Sequence, residues 1–164
     1  MDKIKLGISS CLLGENVRYD GRHKFDQCLK DTLGELVEWI GVCPEVECGL
    51  GVPREAMYLT DSPESPRLIT KITNIDHTDK MLKWAGARLE QLEKEKLAGF
   101  IFKSGSPSCG LKEVLSEKRT GIFAKKFIAH FNVHFSTNEL PTVEELKQKI
   151  NKEFLEFKNI IEKI

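Results

Sequence analysis

Residues 77–110 read HTDKMLKWAGARLEQLEKEKLAGFIFKSGSPSCG, and they put a helical pattern directly before a strand. Apolar residues recur at spacings of three and four from Met81 to Leu92, which predicts an amphipathic helix over His77–Leu97. Asp76 is the predicted N-cap of this helix. The apolar run Gly99–Ser104 follows at once and predicts a buried strand. A helix that leads straight into a buried strand is typical of α/β proteins.

The same alternation of helices and strands extends along the rest of the chain. It predicts one α/β domain over residues 1–164, Rossmann-like, with a mostly parallel sheet flanked by helices. A capping box at Thr142 and Glu145 predicts a final helix that continues to Ile164. The other predicted elements are strands at Lys3–Ser9, Trp39–Cys43, Arg67–Thr73 and Phe131–Thr137, and a helix at Phe25–Ile40.

The charges of the chain balance, with 25 Lys and Arg against 25 Asp and Glu in 164 residues. A net charge of zero gives no general attraction to nucleic acid or to an anionic membrane, although a local basic patch stays open. We therefore expect no DNA partner and no membrane partner. The first residues lack the apolar region of a secretion signal, and no apolar run approaches the roughly 20 residues that span a bilayer. These features predict a cytoplasmic protein.

Cysteines are the most informative residue type in this sequence, at positions 11, 28, 43, 48 and 109. An odd number of cysteines in a reducing compartment argues against a disulfide framework, and the absence of any Cys-x-x-Cys pair argues against a zinc ribbon. Cys28 is interpreted as a small buried apolar residue on a helix face. For Cys48, burial and a functional role both stay open.

Cys11, Cys43 and Cys109 each follow a predicted strand, in loops rich in glycine and proline. Sites in open α/β sheets form at the carboxyl ends of strands, so we expect these three side chains to converge there. Three soft thiolates suit either zinc or an iron–sulfur cluster, although zinc with three protein ligands usually includes histidine. The loops read SSCLLGENVRYDG (Ser9–Gly21), CPEVECGLGVPRE (Cys43–Glu55) and KSGSPSCG (Lys103–Gly110).

Polar residues in the same loops are candidates for acid–base chemistry and for binding. Glu45 is either a general base beside a metal site or an ordinary acid in a loop or at a helix start. Ser106 and Ser108 either form the turn or pass a proton to a reacting atom. Three cations either bind a phosphate or a carbonyl oxygen of a ligand, or are surface or capping charges: Arg18, Arg54 and Lys103.

The three loops, in this order, resemble the thiouracil desulfurase (TudS) family over Lys5–Phe123. Residues 34–59, GELVEWIGVCPEVECGLGVPREAMYL, and the later GIFA (Gly121–Ala124) resemble its RNA thiouridine desulfidase (RudS) branch. The resemblance implies a 4Fe-4S cluster with three cysteine ligands and one open iron. Those ligands match Cys11, Cys43 and Cys109, the catalytic acid matches Glu45, and the catalytic serine matches Ser106. Cys48 matches no ligand.

The activity that the resemblance implies is non-redox hydrolysis of a carbon–sulfur bond. The substrate is a 2-thio or 4-thio uracil, thiouridine or thiouridine nucleotide, whose sulfur binds the open iron. The products are hydrosulfide and the oxo base. Arg18, Lys103 and Ser108 are the expected substrate-binding residues.

Two alternatives and one further substrate stay open at this point. The alternatives are a zinc-dependent hydrolase on the same cysteines, and a non-enzymatic iron–sulfur or RNA-binding accessory module. Thiolated tRNA is also a candidate substrate. We expect it less because the sequence ends before the second, C-terminal domain that RudS proteins often carry.

Overall fold

Strands and helices alternate in the computed structural model, which describes residues 3–60, 62, 64–111, 120–132, 142, 144, 145, 147, 148 and 159–163. The strands are β1 (Ile4–Ser9), β2 (Val37–Val42), β3 (Met57–Leu59), β4 (Leu68–Thr70), β5 (Gly99–Lys103) and β6 (Asn159–Lys163). The helices are α1 (Gln27–Leu33), α2 (Pro44–Glu47), α3 (Thr78–Lys94) and α4 (Ile122–His130), and a short 3₁₀ helix (Ser10–Leu13) follows β1.

The central sheet has four parallel strands in the order β2-β1-β5-β6. Leu6 of β1 lies opposite Trp39 of β2 and opposite Gly99 of β5. Parallel neighbours need a crossover, and α1 supplies it between β1 and β2. A separate antiparallel pair is formed by β3 and β4. The predicted α/β class with a mostly parallel sheet is confirmed.

Helices cover both faces of the central sheet, and the side chains of β5 point alternately to one face and the other. Phe100 and Phe102 point to the face that α3 and α4 cover, where the Phe127 ring centroid lies 4.9 Å from that of Phe100 and 5.4 Å from that of Phe102. Ile101 joins Leu29 of α1 in the apolar cluster on the opposite face. With both faces covered, the carboxyl edge of the sheet is left for a site.

The predicted helix over Phe25–Ile40 is wrong in its second half. Helix α1 ends at Leu33, and β2 begins at Val37 and pairs with β1. Its residues include Val, Trp and Ile, which favour strands, and pairing with β1 outweighs the weak helical spacing. Cys28 is exposed rather than buried, because the short α1 turns Leu29 and Leu33 to the core.

Helix α3 and strand β5 are confirmed close to their predicted bounds. The N-cap of α3 is His77 rather than Asp76, but Asp76 Oδ1 accepts a hydrogen bond from the Thr78 backbone N at 2.9 Å. The predicted strand over Arg67–Thr73 shortens to β4, because residues 71–73 form a turn.

The C-terminal prediction is correct at its start and wrong at its end. Thr142 and Glu145 form the expected capping box: the Glu145 backbone N donates to Thr142 Oγ1 at 3.2 Å, and the Thr142 N donates to Glu145 Oε2 at 2.6 Å. Residues 159–163, however, form β6 on the edge of β5. The exposed edge of β5 offers a ladder of backbone hydrogen bonds that sequence periodicity does not register. Of the strand predicted at Phe131–Thr137, the first two residues form a turn and residues 133–137 lie outside the described residues.

Within the described part of the chain, no helix combines the length and the apolar character needed to cross a membrane. The cytoplasmic location stays a prediction.

Candidate active site

Three cysteines meet in one cavity of about 300 Å³ at the carboxyl edge of the central sheet. Cys11 lies in the 3₁₀ helix after β1, Cys43 directly follows β2 and is the N-cap of α2, and Cys109 lies in the loop after β5. The structure thus brings together the three residues that were expected to converge. We call them the cavity cysteines.

The loop that carries Cys109 is held by hydrogen bonds of its own backbone. Ser106 Oγ accepts from the backbone N–H groups of Ser108, at 3.2 Å, and of Cys109, at 3.1 Å. Gly105 takes a left-handed conformation with φ 67° just before this turn, which glycine adopts without steric cost. Ser106 therefore forms the turn, which is one of the two roles predicted for it, and it also lines the cavity.

Helix α4 begins against this loop and is hydrogen-bonded to it. The Ile122 backbone N donates to Pro107 O at 3.0 Å, and the Phe123 N donates to Ser108 O at 3.0 Å. First-turn N–H groups of a helix have no partner within the helix, so the loop carbonyls satisfy them. At Gly121 a Cβ would lie 2.5 Å from the Ser108 carbonyl carbon, so glycine is needed for this close approach. These contacts place the segment GIFA (Gly121–Ala124) directly against the cysteine loop.

Glu45 is a buried carboxylate that is held from two sides. It lies in the first turn of α2 and is 8% exposed. Its Oε2 accepts from Arg54 Nε at 2.8 Å and also from Arg54 Nη2, while its Oε1 accepts from Ser108 Oγ at 3.0 Å. Arg54 in turn donates to Val17 O at 2.9 Å. Glu45 is thus an acid at a helix start, and it is not solvated.

The two serines of the loop extend this hydrogen-bonded group. Ser106 Oγ lies 3.0 Å from Ser108 Oγ, so the order is Ser106, Ser108, Glu45 and Arg54. Of the two serines, Ser108 touches Glu45. The role of Ser106 as the catalytic serine stays a prediction.

Cations outnumber acids around the cavity. Glu45 is the one carboxylate among the described residues that line it, and the lining cations are Arg18, Arg54, Lys71 and Lys103. Lys103 Nζ donates to Ser104 O at 2.7 Å, and Arg18 Nε lies 3.5 Å from Asp20 Oδ1.

Sequence reasoning missed Lys71 and Tyr19 as lining residues, and it missed the pairing of Arg54 with Glu45. Tyr19 and Arg54 belong to the quoted loops, yet nothing in their spacing predicts these contacts. Lys71 lies at the cavity because it directly follows β4, which pairs with β3 in an antiparallel hairpin. Strand β3 was not predicted from the sequence, so Lys71 could not be placed there.

The environment of the cavity cysteines favours their protonated form. Burial raises the pKa of Cys43 to about 11 and raises the pKa of Cys109 further. Burial also raises the pKa of Cys11, against the opposite effect of the nearby Lys103 and Arg18 charges. Metal binding at these residues would therefore release protons.

The donor chemistry fits an iron–sulfur cluster. Three soft sulfur donors that share one cavity suit such a cluster, whose thiolates bind different iron atoms and so lie farther apart than the ligands of one ion. Among the described residues, no three His, Cys, Asp or Glu side chains are grouped closely enough to hold a single metal ion.

Cys48 lies apart from the cavity. It packs in an apolar cluster with Met57 and Leu68, and its Sγ donates to the Glu45 backbone O at 3.3 Å. This position matches the interpretation of Cys48 as a buried apolar residue.

The fold and the cavity together define an α/β protein with a thiol-rich site at the carboxyl edge of its parallel sheet. The sequence model of the 2-thiouracil desulfurase family matches residues 6–139 of this chain. The chain belongs to the 2-thiouracil desulfurase family, and the family expected from the three loops is confirmed.

Two individual proteins illustrate the relationship. The chain is 28% identical over 108 residues to the protein YbbK of Bacillus subtilis (strain 168), itself uncharacterized, which corresponds to 63% of this chain and 71% of YbbK. It is also similar to the solved structure of the 4Fe-4S-dependent thiouracil desulfidase TudS. The TM-score is 0.70 at 29% sequence identity, over 87% of this chain and 96% of that chain.

Proposed function

We propose that this chain is a 4Fe-4S-dependent desulfidase that removes sulfur from a thiolated uracil by hydrolysis. The observation that carries the proposal is the shared cavity, in which three cysteines lie beside a buried, hydrogen-bonded carboxylate. Family membership and the likeness to TudS, whose name describes a 4Fe-4S-dependent thiouracil desulfidase, support it.

The cavity cysteines would hold the cluster. When bound, the cluster supplies an iron without a protein thiolate, a Lewis acid that polarises a carbon–sulfur bond. The three thiols match this need, because a fourth would close the last iron. Cys48, which lies outside the cavity, leaves that position open.

Glu45 is the proposed general base. Arg54 occupies its Oε2, so Oε1 is the oxygen that takes a proton from water. The water then attacks the carbon that carries the sulfur. Removal of a general base typically costs about 100- to 10,000-fold in rate. Ser106 is the proposed proton donor to the ring or to the leaving sulfur.

The cations around the cavity favour a substrate that carries negative charge. Arg18 and Lys103 are the proposed contacts for a carbonyl oxygen or a phosphate, because both lie in the lining of the cavity. A thiouridine nucleotide would then be a better substrate than the free base. The volume of about 300 Å³ lies at the small end of the range for small-molecule sites. A thiolated tRNA would have to present its base from outside.

The test is anaerobic reconstitution with iron and sulfide, followed by assays of sulfide release. We expect about four iron and four sulfide per chain. Sulfide should be released from 2- or 4-thiouracil or their nucleotides, and thiolated tRNA forms a separate arm. Glu45→Gln should keep the iron and lose at least about 100-fold in rate.

Two outcomes would favour the alternatives. Zinc with little iron after anaerobic reconstitution would indicate the zinc hydrolase. A full complement of iron without sulfide release from any thiolated base would indicate an accessory module.

A further inference from the structure

The two oxygens of the Glu45 carboxylate have different hydrogen-bond donors. Two N–H groups of Arg54 donate to Oε2. Oε1 accepts the Ser108 hydroxyl proton at 3.0 Å, and Ser108 is 2% exposed. A proton taken up by Oε1 therefore lies next to the Ser108 hydroxyl.

The hydrogen bonds assign a direction to the two serine hydroxyls. Ser106 Oγ already accepts from two backbone N–H groups, those of Ser108 and Cys109. A hydroxyl oxygen has two acceptor sites, so Ser106 uses its own proton as donor to Ser108 Oγ, 3.0 Å away. Ser108 then donates to Glu45. In this arrangement the Ser106 proton points towards Ser108 Oγ.

We propose that Ser108 is a positioning residue that links Glu45 to Ser106, so that Ser106 offers a proton to the substrate only after Glu45 has taken one from water. The proposal rests on the proposed function, and it adds a residue and an order of events. It assigns to Ser108 a role other than the substrate contact expected from the sequence.

The proton balance of the relay is closed. Water loses a proton to Glu45 Oε1. Ser106 then turns its hydroxyl proton from Ser108 towards the substrate, and Ser108 turns its own hydroxyl proton from Glu45 towards Ser106. The proton on Oε1 passes to Ser108 Oγ, that of Ser108 passes to Ser106 Oγ, and that of Ser106 passes to the ring or the leaving sulfur. Ser108 receives its new proton from Glu45, and Ser106 receives its new proton from Ser108. Each hydroxyl therefore points again in its resting direction without a further rotation. While the Ser108 hydroxyl points at Ser106, Ser106 Oγ faces three donors but has two acceptor sites. This state is therefore short-lived.

The experiment compares Ser108→Ala and Ser108→Thr with the wild type in single-turnover sulfide release. We expect Ser108→Ala to lower the rate constant by about 100-fold, with KM in steady-state assays within about twofold and the iron content unchanged. Ser108→Thr keeps the hydroxyl and should recover most of the rate. Thr70→Val removes another buried hydroxyl, 4% exposed and outside the cavity, and should leave the rate unchanged.

Two further measurements distinguish a relay from a structural role. The rate constant should fall along a curve with the deuterium fraction of the solvent in the wild type, because several protons move together, and along a straight line in Ser108→Ala. In the cluster-free protein, the infrared carboxylate band that disappears in Glu45→Gln should shift in Ser108→Ala and return in Ser108→Thr.

The proposal fails if Ser108→Ala retains the wild-type rate, if the wild-type deuterium dependence is linear, or if the Glu45 band does not shift. A wild type that releases no sulfide overturns the proposed function and the relay with it. An unshifted Glu45 band in an active enzyme overturns the relay alone.

Discussion

Replacement of Arg54 by methionine tests how the buried carboxylate is held. Methionine has a similar length but no charge and no donor. The Arg54 and Glu45 side chains are 9% and 11% exposed, so water cannot replace the lost contacts readily. Arg54→Met removes both N–H donors to Glu45 Oε2 and the donor to Val17 O. It leaves the carboxylate with Ser108 as its remaining side-chain donor among the described residues.

The expected cost follows from the burial of the pair. Removal of one partner of a buried ion pair costs about 3–5 kcal/mol, because the other charge is left uncompensated. In a chain of this size, about 1 kcal/mol changes the melting temperature by about 2–4 °C. Arg54→Met should therefore lower the melting temperature of the cluster-free protein by roughly 10 °C.

The measurement is thermal and urea unfolding of the reduced, cluster-free protein. Arg67→Met is the matched control, because Arg67 pairs with Asp76 at 2.7 Å on the surface with 45% of its side chain exposed. Such pairs contribute about 0–1 kcal/mol. In a Glu45→Gln background, Arg54→Met should cost about 2 kcal/mol less than in the wild type, since no charge is left buried. Equal losses in both backgrounds, or a loss no larger than that of Arg67→Met, would refute this account of the pair.

Three further perturbations test the loop, the ligands and the hairpin. Gly121→Ala should reduce iron binding severalfold because a Cβ would lie 2.5 Å from the Ser108 backbone. The control Gly86→Ala, whose Cβ would have no atom within 4 Å, should bind iron normally and gain about 1 kcal/mol of stability. Equal iron contents in the two variants would contradict the packing argument. Serine at any one of the cavity cysteines should abolish stable cluster binding, whereas Cys48→Ser should retain it; iron and sulfide analysis decides, and cluster loss in Cys48→Ser would overturn the ligand assignment. The hydrogen bond from Thr73 Oγ1 lowers the pKa of Glu55 below its ordinary value of 4.5, so its contribution to stability is present above about pH 4.5 and is lost as the pH falls further. The free energy of unfolding should therefore depend less steeply on pH between pH 3 and 6 in Glu55→Gln than in the wild type. An unchanged slope would count against this role.

Elements with a long and regular spacing of apolar residues could be predicted from the sequence. Helix α3 and strand β5 lie where the spacing of their apolar residues predicts them. The C-terminal segment shows the limit of this reasoning, since residues 159–163 continue a helical spacing and yet form β6. Backbone pairing with the edge of β5 is a long-range interaction, and it leaves no mark on local periodicity.

The candidate site likewise has some features that the sequence predicts and others that it does not. The residue types that follow each predicted strand can be read from the sequence, and a parallel sheet puts the carboxyl ends of its strands at one edge. The convergence of the cavity cysteines follows from that rule. Three contacts could not be predicted in this way: Arg54 pairs with Glu45, Ser108 rather than Ser106 touches this carboxylate, and α4 supports the Cys109 loop. These contacts depend on distances of a few ångströms between segments far apart in the chain, and such distances are set by the packing of the core rather than by spacing along the sequence.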